Sequence, residues 1–298
     1  MLTAKLLHSL THPNSVYGAA FSPDGSLLAT ASLDNSIKLW TVATGEEKAR
    51  LKGHGDGVCG VAFSSDGKRL FSASLDLTLK IWNVESRSAE ATVKAHQQYI
   101  ESFTISADRK WLATGGHDNE VHLWSDSGSA AGVLKGHTEA VYGVALSAEG
   151  KYVASAGNDN QLLLWDFAAA KKLAELKGHS GPPQCVSFSP DGKQLASGGT
   201  DAKVKIWNIP GGDLQTTLDG HTQLVKCVLY SPGGKYLASG SVDGTVRLSS
   251  ATTGSHLLTL EGHKNTVYGL AFTKDDRLLA TAGYDRTIKV WGLSEGGQ

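Results

Sequence analysis

Histidine, serine or threonine, and aspartate are the residues of this chain that could do chemistry, and they recur together at fixed spacing. A histidine between a hydroxyl and a carboxylate can activate the hydroxyl as a nucleophile. Histidine and carboxylate side chains can also bind a metal ion. Both kinds of chemistry therefore have to be weighed for the recurring histidines, which are His12, His54, His96, His137, His179, His221 and His263.

The spacing of these residues divides the chain into seven similar units. Successive histidines lie 42, 42, 41, 42, 42 and 42 residues apart, and each is followed by a hydroxyl residue after 18 positions and by an aspartate after 22. A tryptophan follows after 28 positions in six units, whereas the sixth unit has Ser249 there. From histidine to tryptophan position, the units span residues 12–40, 54–82, 96–124, 137–165, 179–207, 221–249 and 263–291.

Seven equivalent sets argue against catalysis, because an active site is one constellation that lies open to its substrate. A metal site is disfavoured as well, since it needs several ligands that converge on one ion. The histidines outside the repeat show no ligand spacing with the cysteines. The sequence therefore predicts a protein that is not an enzyme, with no catalytic residue, no metal site and no cofactor.

Short strands separated by tight turns must position the repeated residues. Residues 61–82 (VAFSSDGKRLFSASLDLTLKIW) contain an apolar strand, an Asp-Gly turn, a second strand, a turn at Asp76 and an alternating third strand. Asp-Gly between alternating strands is a strong hairpin signal. A fourth strand follows each tryptophan position, and no helical periodicity is sustained. The sequence therefore predicts an all-β chain with four antiparallel strands per unit.

The Gly-His pairs, aspartates and tryptophans at this spacing are similar to those of the WD-repeat (WD40) family, over essentially the whole chain. A literal Trp-Asp pair occurs once, at Trp165-Asp166. The resemblance implies that residues 1–298 form a single domain, a stand-alone seven-bladed β-propeller. Fold alone does not supply a function, so the function must be argued from particular residues.

The resemblance also implies a structural role for the repeated residues. In the family, the tryptophan N–H donates to the hydroxyl, the hydroxyl donates to histidine, and histidine donates to aspartate. Such a tetrad satisfies polar groups that are buried. The units that keep both the Gly-His pair and the tryptophan give the tetrads His54, Ser72, Asp76 and Trp82; His137, Ser155, Asp159 and Trp165; His179, Ser197, Asp201 and Trp207; and His263, Thr281, Asp285 and Trp291.

The two ends of the chain complement each other. Residues 4–10 align with the fourth strand of other units, such as residues 172–176, whereas the last unit ends soon after Trp291 without a fourth strand. We therefore expect the N-terminal strand to complete the last blade. Such closure removes the exposed edges that an open sheet would leave.

Composition narrows the classes of function and the compartment. The net charge is −1, from 28 Lys and Arg against 29 Asp and Glu, so direct nucleic-acid binding is not expected. The odd set of Cys59, Cys185 and Cys227 favours a reducing, intracellular compartment, cytoplasmic or nuclear. The sequence shows no signal peptide and no long apolar run, so we expect no membrane association.

In the WD-repeat family, partners bind mainly on the top face, around the mouth of the central channel. The slots that point there lie three and five residues after each repeat histidine and one before each repeat aspartate. These 21 slots hold five of the eight tyrosines, and tyrosine is favoured at binding hot spots. The predicted partner-binding residues are Tyr17, Leu33, Leu75, Tyr99, Glu101, His117, Tyr142, Asn158, Leu224, Lys226, Tyr268 and Tyr284.

An alternative is that three of the tyrosines were simply copied with the repeat, because Val-Tyr-Gly recurs at 16–18, 141–143 and 267–269. The few charges among the slots favour a protein or peptide with apolar anchors over a phosphate-rich ligand. We therefore expect a scaffold or adaptor subunit of a multiprotein complex, monomeric by itself. The alternative function is an enzyme or small-molecule binder that uses the central channel, where Glu101 and His117 are the candidate pair.

Overall fold

The computed structural model describes residues 1–296 and shows seven four-stranded antiparallel sheets. The predicted all-β propeller with four antiparallel strands per blade is confirmed. Each sheet is one blade, and in the first six blades the strand order follows the chain. Within the described residues, no helix is long and apolar enough to cross a membrane.

The first three blades contain the strands β2 Val16–Phe21, β3 Leu27–Ser32, β4 Ser36–Thr41, β5 Glu47–Lys52, β6 Val58–Phe63, β7 Arg69–Ser74, β8 Thr78–Asn83, β9 Ala89–Lys94, β10 Ile100–Ile105, β11 Trp111–Gly116, β12 Glu120–Ser125 and β13 Ala130–Lys135. The next three contain β14 Val141–Leu146, β15 Tyr152–Gly157, β16 Leu162–Asp166, β17 Lys171–Glu175, β18 Pro183–Phe188, β19 Gln194–Gly199, β20 Val204–Asn208, β21 Leu214–Leu218, β22 Val225–Tyr230, β23 Tyr236–Ser241, β24 Val246–Ser250 and β25 His256–Leu260. Blade 7 combines β26 Val267–Phe272, β27 Leu278–Gly283 and β28 Thr287–Glu295 with β1 Leu2–Thr11.

The N-terminal strand closes the ring, as predicted. Strand β1 pairs antiparallel with β28, from Leu2 opposite Glu295 to Thr11 opposite Thr287. It is longer than the expected residues 4–10, because β28 continues past Trp291 and offers further backbone partners. The first strands of neighbouring blades contact one another around the whole ring, including β2 with β26 across the closure.

The core lies between the blades. One apolar cluster joins Ile37 and Leu51 of blade 1 to Val58, Leu70 and Trp82 of blade 2. These five side chains are almost fully buried, and burial of one such aliphatic side chain stabilises the fold by about 1.5–3 kcal/mol. Six further clusters join the other blades in the same way. Each blade therefore depends on its neighbours for its hydrophobic core.

The repeated polar residues form hydrogen-bonded networks within the blades. In six blades the tryptophan Nε1–H donates to the Ser or Thr hydroxyl at 2.8–3.2 Å. In all seven, that hydroxyl lies 2.7–2.8 Å from the histidine Nε2. The histidine Nδ1 lies 2.8–3.1 Å from the aspartate. Each network ties the second and third strands to the loop that enters the blade.

Steric contact with the tryptophan ring explains why glycine precedes the repeat histidine. A Cβ on Gly53 would lie 3.2 Å from the Trp82 ring, and its φ of 149° is one that L side chains rarely adopt. In blade 6, where tryptophan is missing, the guanidinium of Arg247 lies against Gly220 instead. Arg247 thus occupies part of the space that an indole fills elsewhere.

Candidate partner-binding face

The two loop faces of the ring have different contents. We call the face that carries the repeat histidines and the turns with the repeat aspartates the top face; backbone bonds such as Leu33 N–H to the Ser15 carbonyl join its loops. The opposite, bottom face carries the turns between the first two strands of each blade. All twelve predicted partner-binding residues are at least partly exposed, whereas the neighbouring slots Ser15, Gln184 and Thr266 are buried.

A cluster of three tyrosines crosses the closure between blades 7 and 1. The rings of Tyr17 and Tyr268 are nearly parallel, with centroids 4.2 Å apart. Tyr284 follows at 6.3 Å from Tyr268 and is 49% exposed. Burial raises the pKa of Tyr17 and of Tyr268, so both phenols stay neutral at physiological pH. The closure therefore brings together three tyrosines from opposite ends of the sequence.

A charged pair spans the mouth of the central channel. Lys226 Nζ of blade 6 lies 3.8 Å from the Glu101 carboxylate of blade 3, and the His117 Nε2 lies 3.5 Å from the same carboxylate. The Lys226 ammonium also lies 5.2 Å from the Tyr142 ring centroid and 5.9 Å from that of Tyr268, within cation–π range. The network balances the charges of Lys226 and Glu101 and links the aromatic residues on both sides of the mouth.

The remaining aromatic residues extend this network into an arc. Tyr99, which is 53% exposed, lies edge-on to His117, and His117 lies edge-on to Tyr142. We use the name aromatic arc for the set Tyr99, His117, Tyr142, Lys226, Tyr268, Tyr17 and Tyr284. The arc runs across the top face from blade 3 to the closure between blades 7 and 1.

The other predicted residues lie outside the arc. Leu33 and Leu75 both lie over Gly57, where they form a small apolar patch on blades 1 and 2. Asn158 donates to Glu139 at 2.6 Å, and Leu224 is partly exposed on blade 6. With Glu101, which lies between Lys226 and His117, the structure brings eight of the twelve residues into one contiguous surface. It leaves the other four at the periphery of that surface.

The central channel below the arc is narrow. Its cavity measures about 210 Å³ and is lined largely by small and aliphatic residues of the first strands, such as Gly60, Val144 and Val228. Among residues 1–296, Glu101 is the one carboxylate in that lining. Ligand pockets usually measure about 300–1,000 Å³. As far as the structure describes the chain, the channel offers little room for a substrate and no second acidic group beside Glu101.

One group of side chains has the composition of a metal site. Ligand atoms of His96, Asp118 and His122 lie within 4.8 Å of one another. However, the His96 nitrogens already bond Asp118 and Thr114 within the tetrad of blade 3. His122 bonds Glu120 at 2.9 Å. A metal ion would have to break a buried network, so the tetrad accounts for this cluster.

Sequence reasoning missed a cleft between blades 7 and 1. It measures about 560 Å³ and is lined by Thr11, His12, Asn14, Ser15, Lys264, Asn265, Tyr284, Asp285 and Arg286. Lys264 follows a repeat histidine and Arg286 follows a repeat aspartate, two positions outside the 21 top-face slots. The signal available in the sequence was two cations at positions that are uncharged in the other six units.

Comparison with known families agrees with this geometry. The WD40 family, described as "WD domain, G-beta repeat", matches seven segments: residues 4–41, 45–83, 88–125, 128–166, 170–208, 212–248 and 254–292. This chain belongs to the WD40 family. Each match begins near the last strand of one blade and ends at the third strand of the next. The first match begins in β1, which is the last strand of blade 7, in the same way that the other matches begin near the last strand of the preceding blade.

A curated relative extends the comparison over a short stretch. The "Probable serine/threonine-protein kinase PkwA" of Thermomonospora curvata is 49% identical over 47 residues, which are 16% of this chain. The aligned stretch covers 6% of that kinase. The similarity is therefore about the length of one WD40 repeat. Propellers of this family generally mediate protein–protein interactions.

Proposed function

We propose that this protein is a non-catalytic interaction subunit that binds a protein or peptide partner on its top face. The observation that carries the proposal is the aromatic arc, a contiguous surface of exposed and half-buried rings. Tyrosine combines a large apolar area with a polar tip, and such residues dominate binding energy at interfaces. Its members come from blades 1, 3, 4, 6 and 7, so the folded ring is needed to assemble it.

Two features favour binding over catalysis. The seven repeat histidines are buried or half-buried and bonded on both ring nitrogens within their networks. Glu101, the carboxylate at the channel mouth, is already near Lys226 and His117. A substrate in the channel would have to displace Lys226 and His117 from Glu101. It would also have to fit a cavity of about 210 Å³. The small-molecule alternative therefore has weaker support than the top face.

The compartment follows from the thiols. Cys59, Cys185 and Cys227 are free and buried, and burial raises the pKa of Cys185 to about 12. Unpaired thiols of this kind suit a reducing environment. We infer that the protein works inside the cell.

The test is capture of partners by the tagged protein from a lysate of its source cells. The variant Tyr17→Ala/Tyr142→Ala/Tyr268→Ala removes the centre of the arc, and we expect it to lose the partners that wild type captures. The variant Tyr99→Ala/Tyr284→Ala removes the two most exposed rings of the arc, which contribute less to packing. Loss of partners by this variant therefore reflects lost binding and not lost folding.

The matched control is Leu173→Ala/Leu214→Ala, because these exposed apolar residues lie on outer strands, away from the arc. Thermal unfolding of each variant shows whether it has folded. Partners that both tyrosine variants retain as well as the leucine control does would contradict the proposal. A wild-type protein that captures no stoichiometric protein would also contradict it.

A further inference from the structure

The cleft between blades 7 and 1 differs in charge from the rest of the top face. Lys264 and Arg286 both line it and are exposed. Within residues 1–296, neither side chain forms an ion pair or a side-chain hydrogen bond. By contrast, Lys38 pairs with Glu47 at 2.8 Å and Lys135 with Glu120 at 2.6 Å. The cleft therefore holds two cations that the fold itself does not use.

Asp285 does not neutralise these cations. Its carboxylate accepts bonds from the His263 Nδ1, the Lys264 backbone N–H and the Thr287 hydroxyl. These bonds hold the pKa of Asp285 well below its usual range, although burial alone would raise it. The acceptor positions of this carboxylate are thus committed to the tetrad and its turn. Even if the full charge of Asp285 is subtracted from those of Lys264 and Arg286, the cleft keeps one positive charge.

Neither cation is required by the repeat. The position after the histidine holds Pro13, Gly55, Gln97, Thr138, Ser180 and Thr222 in the other blades, and the position after the aspartate holds Asn35, Leu77, Asn119, Asn160, Ala202 and Gly244. None of these twelve residues is charged. Arg286 also has a φ of 67°, a left-handed conformation in which glycine or asparagine is favoured over arginine. The pair is therefore specific to blade 7.

The cleft adjoins the aromatic arc. Tyr284 lines the cleft and also contacts Tyr268, which stacks on Tyr17. Asn14 and Asn265 also line the cleft and are exposed. The Asn14 amide already donates to the Leu33 carbonyl at 3.3 Å, so the Asn265 amide is the one that can supply a further donor. A single extended segment could therefore place apolar side chains on the tyrosines and a neighbouring side chain in the cleft.

We propose that the cleft binds an anionic side chain, a carboxylate or a phosphorylated hydroxyl, of a partner peptide whose apolar residues lie on Tyr17, Tyr268 and Tyr284. The proposal rests on the proposed function of the top face and specifies the chemistry of its partner. Lys264 and Arg286 supply the charge, and arginine can bind carboxylate or phosphate with two parallel hydrogen bonds. The contact confers selectivity for acidic segments on a surface that is otherwise aromatic.

The experiment selects peptides from a displayed random 12-residue library on the immobilised wild-type protein. The selected peptides are then synthesised and their dissociation constants measured for wild type and for Lys264→Glu/Arg286→Glu. The control variant Lys68→Glu/Lys193→Glu makes the same change in net charge at exposed lysines in bottom-face turns. Thermal unfolding checks that the variants are folded.

We expect the selected peptides to be enriched in Asp or Glu beside an apolar residue. Their affinity should fall at least about tenfold in the cleft variant and less than about twofold in the control, and it should weaken as salt is raised. Replacing the acidic residue of a selected peptide by phosphoserine distinguishes a carboxylate from a phosphate as the preferred anionic group. Tighter binding of the phosphopeptide identifies phosphate, and equal or weaker binding identifies carboxylate.

Two results would overturn the inference in different ways. Peptides that lack acidic enrichment and bind the cleft variant as tightly as wild type would exclude an anion site but leave the top face as the partner site, provided that they lose binding in Tyr99→Ala/Tyr284→Ala. Failure to select any peptide on wild type, together with failure to capture a partner, would overturn both proposals.

Discussion

The two loop faces of this propeller differ in how regularly their residues repeat from blade to blade. On the bottom face, one bond recurs: in five blades the Ser or Thr hydroxyl before the turn donates to the turn aspartate at 2.5–2.7 Å. Blade 6 has Gly233 in place of that aspartate. There, Asp276 of blade 7 accepts from the Ser231 hydroxyl and the Gly233 N–H, both at 2.9 Å. A neighbouring blade thus restores the missing bond.

The top face shows no such restoration. Its slots hold tyrosine in some blades and leucine, glutamate, lysine or asparagine in others. Their contacts differ from blade to blade, and some of them, such as Lys226 with Glu101 and Tyr142, join different blades. In six of the seven blades this bottom-face bond is kept, even where a neighbouring blade supplies the acceptor, whereas blade 4 has Glu149 at the turn position. Positions without such a recurring bond are the ones that can carry specificity.

Removal of the closing strand is expected to have the largest effect, because it disrupts the framework beneath both faces. Deletion of residues 1–10 leaves blade 7 with three strands and exposes the edge of β28. We expect the truncated protein to lose cooperative thermal unfolding or to melt at a much lower temperature. An unchanged melting temperature would show that the pairing of β1 with β28 contributes little.

Acid should weaken the tetrads of the framework. Burial lowers the pKa of His12, His96, His137, His179 and His221 below 6.5, and it outweighs the opposing bonds from aspartate. The unfolded chain therefore binds more protons than the folded chain, so stability is full above about pH 6.5 and falls as pH falls.

The aspartates extend this loss to lower pH. Burial alone would raise the pKa of Asp243, but bonds from Thr245, Thr222 and His221 lower it to about 2. Its contribution is therefore present above 3.8 and is lost as pH falls towards 2. Melting temperatures measured from pH 8 to about pH 2 at constant ionic strength check both ranges. A constant melting temperature between pH 7 and pH 5 would contradict the histidine contribution.

The bond between blades 6 and 7 offers a reciprocal test of the bottom face. Asp276→Gly leaves the Ser231 hydroxyl and Gly233 N–H without their acceptor, which should cost about 1–3 kcal/mol of unfolding free energy. Gly233→Asp alone should also destabilise, because its carboxylate would meet that of Asp276.

The double variant Asp276→Gly/Gly233→Asp returns the carboxylate to the position that it has in other blades. We expect it to recover most of the stability lost in either single variant, as measured by urea unfolding. All three variants should capture partners like wild type. A double variant that is less stable than both single variants would contradict the interpretation that blade 7 supplies the acceptor for blade 6.

The smallest expected effect is a local increase in amide hydrogen exchange within blade 6. This blade lacks a tryptophan donor at Ser249, so we expect residues 221–260 to exchange amide hydrogens faster than the corresponding residues of other blades. Ser249→Trp should slow this exchange, since the indole can donate to the Ser239 hydroxyl once Arg247 moves away. Uniform exchange in all seven blades would contradict this expectation.

The sequence was sufficient for the architecture because the repeat is local. A fixed spacing of histidine, hydroxyl, aspartate and tryptophan placed every blade, and the spare strand at residues 4–10 predicted the closure. The repeat register also predicts that Tyr17, Tyr268 and Tyr284 are neighbours across the closure, as the structure shows. It does not predict the contacts through which Lys226 and His117 link them to Tyr142 and Tyr99. The approach of Lys226 to Glu101 depends on the curvature of the ring, which no single repeat encodes.

Other features could not be read from one unit. The cleft beside Lys264 and Arg286 is formed where the two ends of the chain meet. Its two sets of lining residues, Thr11 to Ser15 and Lys264 to Arg286, are about 250 or more positions apart in the sequence. The acceptor that Asp276 offers to blade 6 is equally non-local. Such features depend on which blades become neighbours, and they appear only when the ring is closed.

The most direct test of the top-face proposal is amide hydrogen exchange on the protein with and without its captured partner. We expect slower exchange in the loops around Tyr99, Tyr268 and Tyr284 when the partner is bound, and unchanged exchange in the bottom turns such as residues 22–26 and 64–68. Protection confined to the bottom turns or to the outer strands, with the top loops unchanged, would contradict the proposal.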